Sequence, residues 1–187
     1  MDDGQPDVKC RVSHSASLPR LVYAAQMDGA DDGDFLMTTS TRLNWSTVAP
    51  EGARALYGVH HYVTTGTNLP EELIHLVFLR VSQINGCAHC IDIHTRDLLK
   101  TMSIDKVALI PVWEEVPHLF SETYRAALAW AEEVTRVSET HASDEAYAAA
   151  SAAFEPKDLV DLTIAIAAMN AINRLGAPFR LPVKAQP

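Results

Sequence analysis

Residues 79–94, LRVSQINGCAHCIDIH, decide both the fold and the chemistry of this chain. The stretch before them, residues 71–85, carries acidic side chains in its first turn, as the positive end of a helix dipole favours. Asn85 and Gly86 are expected to end that helix and to support the site, because Gly commonly follows a helix. A second helix is predicted over residues 87–100. The sequence therefore predicts two helices joined by one tight turn.

Helix signals continue on both sides of this stretch. Pro50 is expected at the first position of one helix, and Ser121 and Ser143 are expected to cap two more. Pro156 opens a last helix that Gly176 ends. This helix is apolar on nearly all sides, so we expect it at the centre of a bundle or at a subunit interface. No segment alternates like a strand, and the predicted fold class is all-α, a compact bundle of five to seven helices.

Composition excludes several classes of function. The 187 residues include 24 acidic and 15 basic side chains, and no basic cluster of the kind that binds a duplex. The longest apolar stretch, residues 162–169, is too short to span a bilayer, and no signal-peptide pattern follows the N-terminus. We therefore predict a cytoplasmic protein whose partners are neither nucleic acid nor membrane.

The first 36 residues differ from the rest of the chain. They contain seven Asp and no Glu, together with Gly and Pro, which is typical of a flexible extension. We predict that residues 1–36 are a flexible acidic extension and that the functional helical domain comprises residues 37–187, beginning at Met37. Cys10 lies in the extension and is interpreted as an incidental surface thiol.

Three reactive side chains share one face of the second predicted helix. At about 100° per residue, Cys87, Cys90 and His94 fall on the same side. Cys90 and His94 are four residues apart, close enough for the imidazole to exchange a proton with the thiol. The first turn of a helix also stabilises a thiolate. An acidic thiol, a base and a second cysteine within disulfide reach are what a thiol peroxidase or a disulfide reductase needs.

Two other interpretations of this motif are disfavoured. His89 lies on the opposite side of the helix from the thiols, and four ligands from one short helix cannot surround a tetrahedral zinc ion. We therefore predict no metal and no bound cofactor, and we expect His89 to orient a loop or to contact a neighbouring subunit. A thioredoxin fold is disfavoured because a helix, not a strand, precedes the C-x-x-C pair.

These motifs resemble the carboxymuconolactone decarboxylase-like superfamily, in its alkylhydroperoxidase D-like branch. The resemblance covers about residues 41–182 and rests on C-x-x-C-x-x-x-H within LR-x-S-Q-I-N-G-C, followed by RAALAWAEEVT, LVDLTIAIAAMNAINRL and a closing FR. It implies an all-α fold assembled as homotrimers or homohexamers, with the cysteine pair in a buried pocket.

The resemblance also implies an activity, that of an antioxidant oxidoreductase with peroxidase (peroxiredoxin-type) activity. Cys90 would attack a hydroperoxide and become a sulfenic acid, and Cys87 would resolve it as a redox-active disulfide. His94 would take the thiol proton, directly or through water. A dithiol electron donor, such as a lipoyl-bearing protein or a thioredoxin, would restore the pair. The residues alone indicate a dithiol and a base, but not which cysteine attacks first.

The chain departs from this family pattern at His75. The family places a Glu of its proton relay at this position, twelve residues before the first cysteine. His75 shares a helix stripe with Leu79 and Ser82, so we expect it to face the pocket, with Glu71 one turn earlier able to hold it. A histidine can relay protons near pH 7, but it supplies no carboxylate to keep His94 basic.

Other polar side chains are assigned structural roles. Ser82 is expected to brace the turn before the cysteine pair. Asn170 and Asn173, on the apolar last helix, are expected to be buried and hydrogen-bonded. His60 and His61 are interpreted as a solvated pair on an exposed helix.

Two alternative functions remain open at this stage. One is a non-redox enzyme of the decarboxylase type, although such members generally lack the cysteine pair. The other is a redox-sensing oligomer without catalysis, in which the same pair reports oxidation.

Overall fold

The computed structural model of this protein describes residues 41–183. The predictions for the acidic extension, residues 1–36, for the start of the domain at Met37, and for Cys10 lie outside the described residues.

Helices make up the secondary structure of the described residues, which contain no strand. In chain order the α-helices are α1 (Trp45–Val48), α2 (Pro50–Thr65), α3 (Glu71–Asn85), α4 (Ala88–Leu98), α5 (Ile104–Ala108), α6 (Glu122–Thr135), α7 (Val137–Thr140), α8 (Asp144–Ala153) and α9 (Pro156–Gly176). Two 3-10 helices, Ile110–Glu115 and Pro117–Leu119, lie between α5 and α6. The all-α prediction is confirmed, and the predicted five to seven helices correspond to the six that have ten or more residues.

The predicted helix starts are confirmed by local hydrogen bonds and by proline placement. The Ser121 hydroxyl accepts a hydrogen bond from the Tyr124 N–H at 3.2 Å, and caps α6. Ser143 caps α8 in the same way, through the Ala146 N–H at 3.2 Å. Pro residues occupy the first turn of α2 and α9, where their missing N–H costs nothing. These starts follow from local sequence because a cap satisfies donors within its own turn.

Helix α3 lies at the centre of the bundle and packs against α4, α6 and α9. Its largest buried side chains are Leu73, Leu76, Val77, Phe78 and Leu79. Burial of each such side chain stabilises the folded state by roughly 1.5–3 kcal/mol. A partly buried ion pair joins α3 to α6, because Arg80 Nε of α3 donates to Glu132 Oε1 of α6 at 2.8 Å. The arrangement holds α3 as the fixed element on which the site is built.

Helix α9 is the apolar helix that the sequence predicted to be central. It packs against α2, α3 and α6. By length and composition alone it could cross a membrane, but 61% of its apolar window is buried inside the bundle. That burial is the pattern of a core helix, and the predicted central position is confirmed.

Candidate active site

The turn between α3 and α4 places the first cysteine at the start of a helix. Gly86 adopts the left-handed conformation with φ of 66°, which a residue with a Cβ rarely takes. The Gly86 N–H donates to the Gln83 carbonyl at 3.3 Å, and the Cys87 N–H donates to the Ser82 carbonyl at 3.0 Å. These two bonds are the Schellman pattern of helix termination. Cys87 is therefore the N-cap of α4, and its carbonyl accepts from the Ile91 N–H at 2.9 Å.

Asparagines of α9 brace this turn from the opposite side. Asn173 Nδ2 donates to Ser82 Oγ at 3.1 Å. Asn85 Nδ2 donates to Asn173 Oδ1 at 3.0 Å and to Asn170 Oδ1 at 2.9 Å. Asn173 is 1% exposed, so the prediction of a buried, hydrogen-bonded side chain is confirmed for Asn173, whereas Asn170 is hydrogen-bonded but only half-buried. Ser82 and Asn85 support the turn, as expected.

The two thiols lie against the backbone of α9 at Gly176. Both cysteines are buried and reduced. A Cβ built on Gly176 would lie 2.8 Å from Cys87 Sγ and 3.6 Å from Cys90 Sγ, and the first distance is shorter than real contacts allow. Gly176 was predicted only as the end of a helix, yet it also forms the floor beneath the sulfur atoms. We call Cys87, Cys90 and Gly176 the thiol pocket.

The two sulfur atoms differ in acidity. A hydrogen bond from the Cys90 thiol, helped by the Cys90 backbone amide and nearby His89, lowers the pKa of Cys87 to about 6 against the opposing effect of burial. The same hydrogen bond and burial raise the pKa of Cys90. At neutral pH the pair therefore holds one proton, with the negative charge on Cys87 and Cys90 as the donor.

His75 and His94 meet across α3 and α4. Their Nδ1 atoms are 3.3 Å apart, so His75 faces His94. His94 is 5% exposed, and burial, reinforced by His75 and His60, lowers its pKa to about 3. Its imidazole is therefore neutral at physiological pH. Within residues 41–183 no hydrogen bond joins His94 to Cys87 or Cys90.

Asp97 supplies a carboxylate that the sequence argument did not identify. Asp97 Oδ2 lies 3.6 Å from His75 Nδ1, and Asp97 Oδ1 accepts from Lys100 Nζ at 2.6 Å. Burial opposes its ionisation, but the hydrogen bond from Lys100 and the neighbouring His75 outweigh burial and lower the pKa of Asp97. The i,i+3 spacing of His94 and Asp97 is a signal that could have found it. We call His75, His94 and Asp97 the histidine cluster.

The contact predicted between Glu71 and His75 is present but exposed. Glu71 Oε1 lies 3.6 Å from His75 Nε2, and its side chain is 86% exposed. An ion pair this open to solvent contributes little to stability. The carboxylate that His75 itself does not supply is provided by Asp97 rather than by Glu71.

An aromatic wall closes the site on the α2 side. The His60 ring stacks on Phe78 with centroids 5.3 Å apart, and the Phe78 centroid is 5.1 Å from that of His94. His61 is exposed as predicted, but His60 is half-buried, so its interpretation as solvated was wrong. Burial, reinforced by the nearby Cys90 thiol group, raises the pKa of Tyr57, which also lies on α2. Only the packing of α2 against α3 brings these rings to the site.

His89 holds the segment that follows α9. Its Nδ1 lies 2.6 Å from the Pro182 carbonyl, which accepts a hydrogen bond from the ring. The role in orienting a loop, one of the two expected for His89, is thus seen at the chain segment beside the thiol pocket.

The sequence and the fold both have known relatives. A sequence model of the carboxymuconolactone decarboxylase family matches residues 50–133. The chain is 31% identical to the uncharacterized protein YdfG of Bacillus subtilis over 137 residues, which are 73% of this chain and 92% of YdfG. It is 30% identical to the uncharacterized protein YnjA of Escherichia coli over 110 residues, 58% of this chain and 59% of YnjA.

Solved structures agree with the sequence relatives. One of them is ATU0492 of Agrobacterium tumefaciens, a protein of unknown function whose name relates it to the antioxidant defence protein AhpD. It matches with a TM-score of 0.75 and 36% identity, over 79% of this chain and 100% of ATU0492. The debrominase Bmp8 shares the fold alone, with a TM-score of 0.63 and 20% identity over 74% of each chain. The chain therefore belongs to the carboxymuconolactone decarboxylase-like superfamily, with the fold of its alkylhydroperoxidase D-like members.

Proposed function

We propose that this protein is a thiol-dependent peroxidase, an antioxidant oxidoreductase that reduces hydroperoxides through Cys87 and Cys90. One observation carries the proposal: a buried, reduced cysteine pair at the start of α4 in which the pKa of Cys87 is lowered to about 6. A thiolate is the nucleophilic form of cysteine, and a second thiol in contact with it can resolve the oxidised product. The alternative, a decarboxylase-type enzyme, generally lacks such a cysteine pair.

The proposed cycle transfers two electrons from the pair to the peroxide. A thiolate attacks one peroxide oxygen, so that an S–O bond forms and the O–O bond breaks, and the released alkoxide takes a proton from solvent and leaves as alcohol. The second sulfur then attacks the sulfenic sulfur, an S–S bond forms, and the hydroxyl group leaves as water after taking the remaining proton. A dithiol donor reduces the resulting disulfide by exchange.

The order of attack is the finer part of the proposal. The family resemblance assigns the attack to Cys90, whereas the resting negative charge lies on Cys87. Transfer of the shared proton from Cys90 to Cys87 reconciles the two, because it places the thiolate on Cys90 without a proton from outside the pair. The nucleophile is then selected by access to peroxide.

The histidine cluster is proposed as the proton relay. Neutral His94 accepts a proton at its ring, through water since no hydrogen bond joins it to either thiol, and passes it to His75 across the 3.3 Å contact. Asp97, ionised and 3.6 Å from His75, stabilises the resulting imidazolium. Asp97 would thus supply the carboxylate of the relay through His75, at the point where the family has a glutamate in the relay itself.

The proposal also includes an electron donor and an oligomeric state. The electron donor would be a dithiol carrier, such as a lipoyl protein or a thioredoxin, in the cytoplasm. A homotrimer or homohexamer is supported by an apolar cavity of about 550 Å³ between α6, α8 and α9, where the side chains of Tyr147 and Val160 are exposed. Analytical ultracentrifugation that found a monomer would contradict the assembly.

The test of the activity is the thiol state by intact mass before and after one equivalent of cumene hydroperoxide. A Cys10→Ser background leaves only the pair to react. We expect rapid loss of two hydrogen atoms per chain, and no such loss in Cys87→Ser or Cys90→Ser. Dimedone labelling of each single variant identifies the attacking sulfur, because only the variant that retains it forms a sulfenic acid. Unchanged thiols would overturn the proposal and favour a decarboxylase-type enzyme.

A redox sensor is distinguished by turnover rather than by oxidation. With excess peroxide and a dithiol donor, a peroxidase consumes many equivalents per chain. A sensor oxidises once and then changes its assembly state, which the same sedimentation measurement detects.

A further inference from the structure

Three possible metal-ligating atoms converge where α3 meets α4. His75 Nδ1 is 3.3 Å from His94 Nδ1 and 3.6 Å from Asp97 Oδ2. All three ligand atoms of the histidine cluster lie within 4.8 Å of one another. Ligands that hold zinc tetrahedrally at 2.0–2.1 Å are separated from each other by about 3.3 Å. Two of the separations are therefore close to those of a zinc site before any side chain moves.

Neighbouring side chains contact two of the three ligands. Lys100 binds the other oxygen of Asp97, at 2.6 Å, and so leaves Oδ2 directed at His75. Glu71 Oε1 lies 3.6 Å from His75 Nε2, the ring nitrogen on the far side from the cluster. A carboxylate beside the ring nitrogen that does not bind the metal is a common arrangement at metal-binding histidines.

An ion can reach these atoms from outside. A small cavity of about 90 Å³ adjoins the cluster, and its wall includes His75 and Asp97 together with the acidic side chains of Glu71 and Glu72. The Asp97 side chain is 24% exposed, so the open side of the cluster faces this cavity. Three protein ligands and one open position are the composition of a zinc site that keeps a water or a substrate.

We propose that His75, His94 and Asp97 bind a divalent transition-metal ion of the zinc type, at a site separate from the cysteine pair. Imidazole and carboxylate ligands suit zinc, cobalt and nickel. This inference goes beyond the peroxidase proposal and does not need it for metal binding. If both hold, the metal occupies the nitrogen atoms of the relay and inhibits turnover reversibly.

The test measures zinc binding without thiols. In a Cys10→Ser/Cys87→Ser/Cys90→Ser background, isothermal titration with zinc chloride should show one ion per chain. His75→Gln and the isosteric Asp97→Asn should each weaken binding by at least about tenfold, as loss of a ligand does. His60→Gln, a half-buried histidine outside the cluster, is the matched control and should bind as the background does.

Two further readings make the result decisive. Thermal melts show whether each variant is folded, and zinc should raise the melting temperature of the background but not that of Asp97→Asn. Cobalt bound to wild-type protein should show visible absorption without a thiolate charge-transfer band. The proposed metal site would be contradicted by any of three results: no zinc binding, zinc binding unchanged in both cluster variants, or a thiolate band in the cobalt-loaded wild type. Because no peroxide is used, these outcomes are independent of the peroxidase test.

Discussion

The thiol pocket and the histidine cluster lie on the same pair of helices but are built in opposite ways. The thiol pocket is sealed: its sulfur atoms are buried, and Gly176 leaves no room for a side chain. The histidine cluster is open on one side, next to a small polar cavity, and its members are held by side-chain contacts 3.3–3.6 Å long. The same two helices therefore hold a tightly packed cysteine pair and a more loosely held cluster of polar side chains.

The largest expected effect is on the thiol pocket, from Cys90→Ala. The thiol of Cys90 is the main cause of the lowered pKa of Cys87, so its removal should return that pKa toward its ordinary value and abolish disulfide formation. In a Cys10→Ser background, alkylation by iodoacetamide against pH should show a midpoint near 6 for the intact pair and a clearly higher midpoint for the variant. Equal midpoints would show that the pocket, not the neighbouring thiol, sets the acidity.

The same pKa makes a prediction about stability. A thiol whose pKa falls from 9.0 unfolded to about 6 folded stabilises the native state above its unfolded pKa, and this stabilisation is lost as pH falls through the folded value. The free energy of unfolding in urea should therefore rise between about pH 6 and pH 9, and less so in Cys90→Ala. A flat profile in reduced wild-type protein would contradict a thiol pKa that is lowered by folding.

A smaller effect is expected where the two regions differ in tolerance, from Gly176→Ala. The added methyl group would meet Cys87 Sγ at 2.8 Å, and overpacking of a buried site costs about 1–3 kcal/mol. Urea unfolding measures the loss, and Gly52→Ala is the matched control because a Cβ there has nothing within 4 Å. If the two variants were equally stable, the pocket would not be tightly packed.

The smallest effect on stability is expected in the histidine cluster, from Asp97→Asn. The partly exposed pair with Lys100 contributes roughly 1 kcal/mol or less, so unfolding should hardly change. Peroxide turnover should fall by about tenfold or more, since general acid–base groups contribute 10²–10⁴-fold and Asp97 acts only through His75. Lys100→Met, which keeps the carboxylate, should lose much less. Unchanged turnover in Asp97→Asn would remove Asp97 from the relay.

Much of the helical framework could be predicted because its signals are local. Ser121, Ser143 and Pro156 begin helices where expected, since each satisfies or avoids donors within its own first turn. The short helices α1, α5 and α7 were not predicted, because four or five residues carry too few periodic positions to be recognised.

The candidate site could be predicted only along single helices. Helical spacing predicted that Cys87, Cys90 and His94 share a face, and the structure shows that His75 on α3 contacts His94. Asp97 and His60 were missed because their roles depend on which atoms lie opposite, and Asn173 was predicted to be buried but not to hold Ser82.

The sequence by itself determined the all-α class, the tight turn at Gly86 and the placement of two thiols and a histidine on one helix face, because backbone hydrogen bonds and helical periodicity act over a few residues. Only the tertiary structure decided that Gly176 forms the floor beneath the sulfur atoms, that Cys87 is the more acidic thiol, and that a carboxylate joins His75 and His94. These properties depend on burial and on distances of a few ångströms between helices, which the spacing of residues along one helix does not fix.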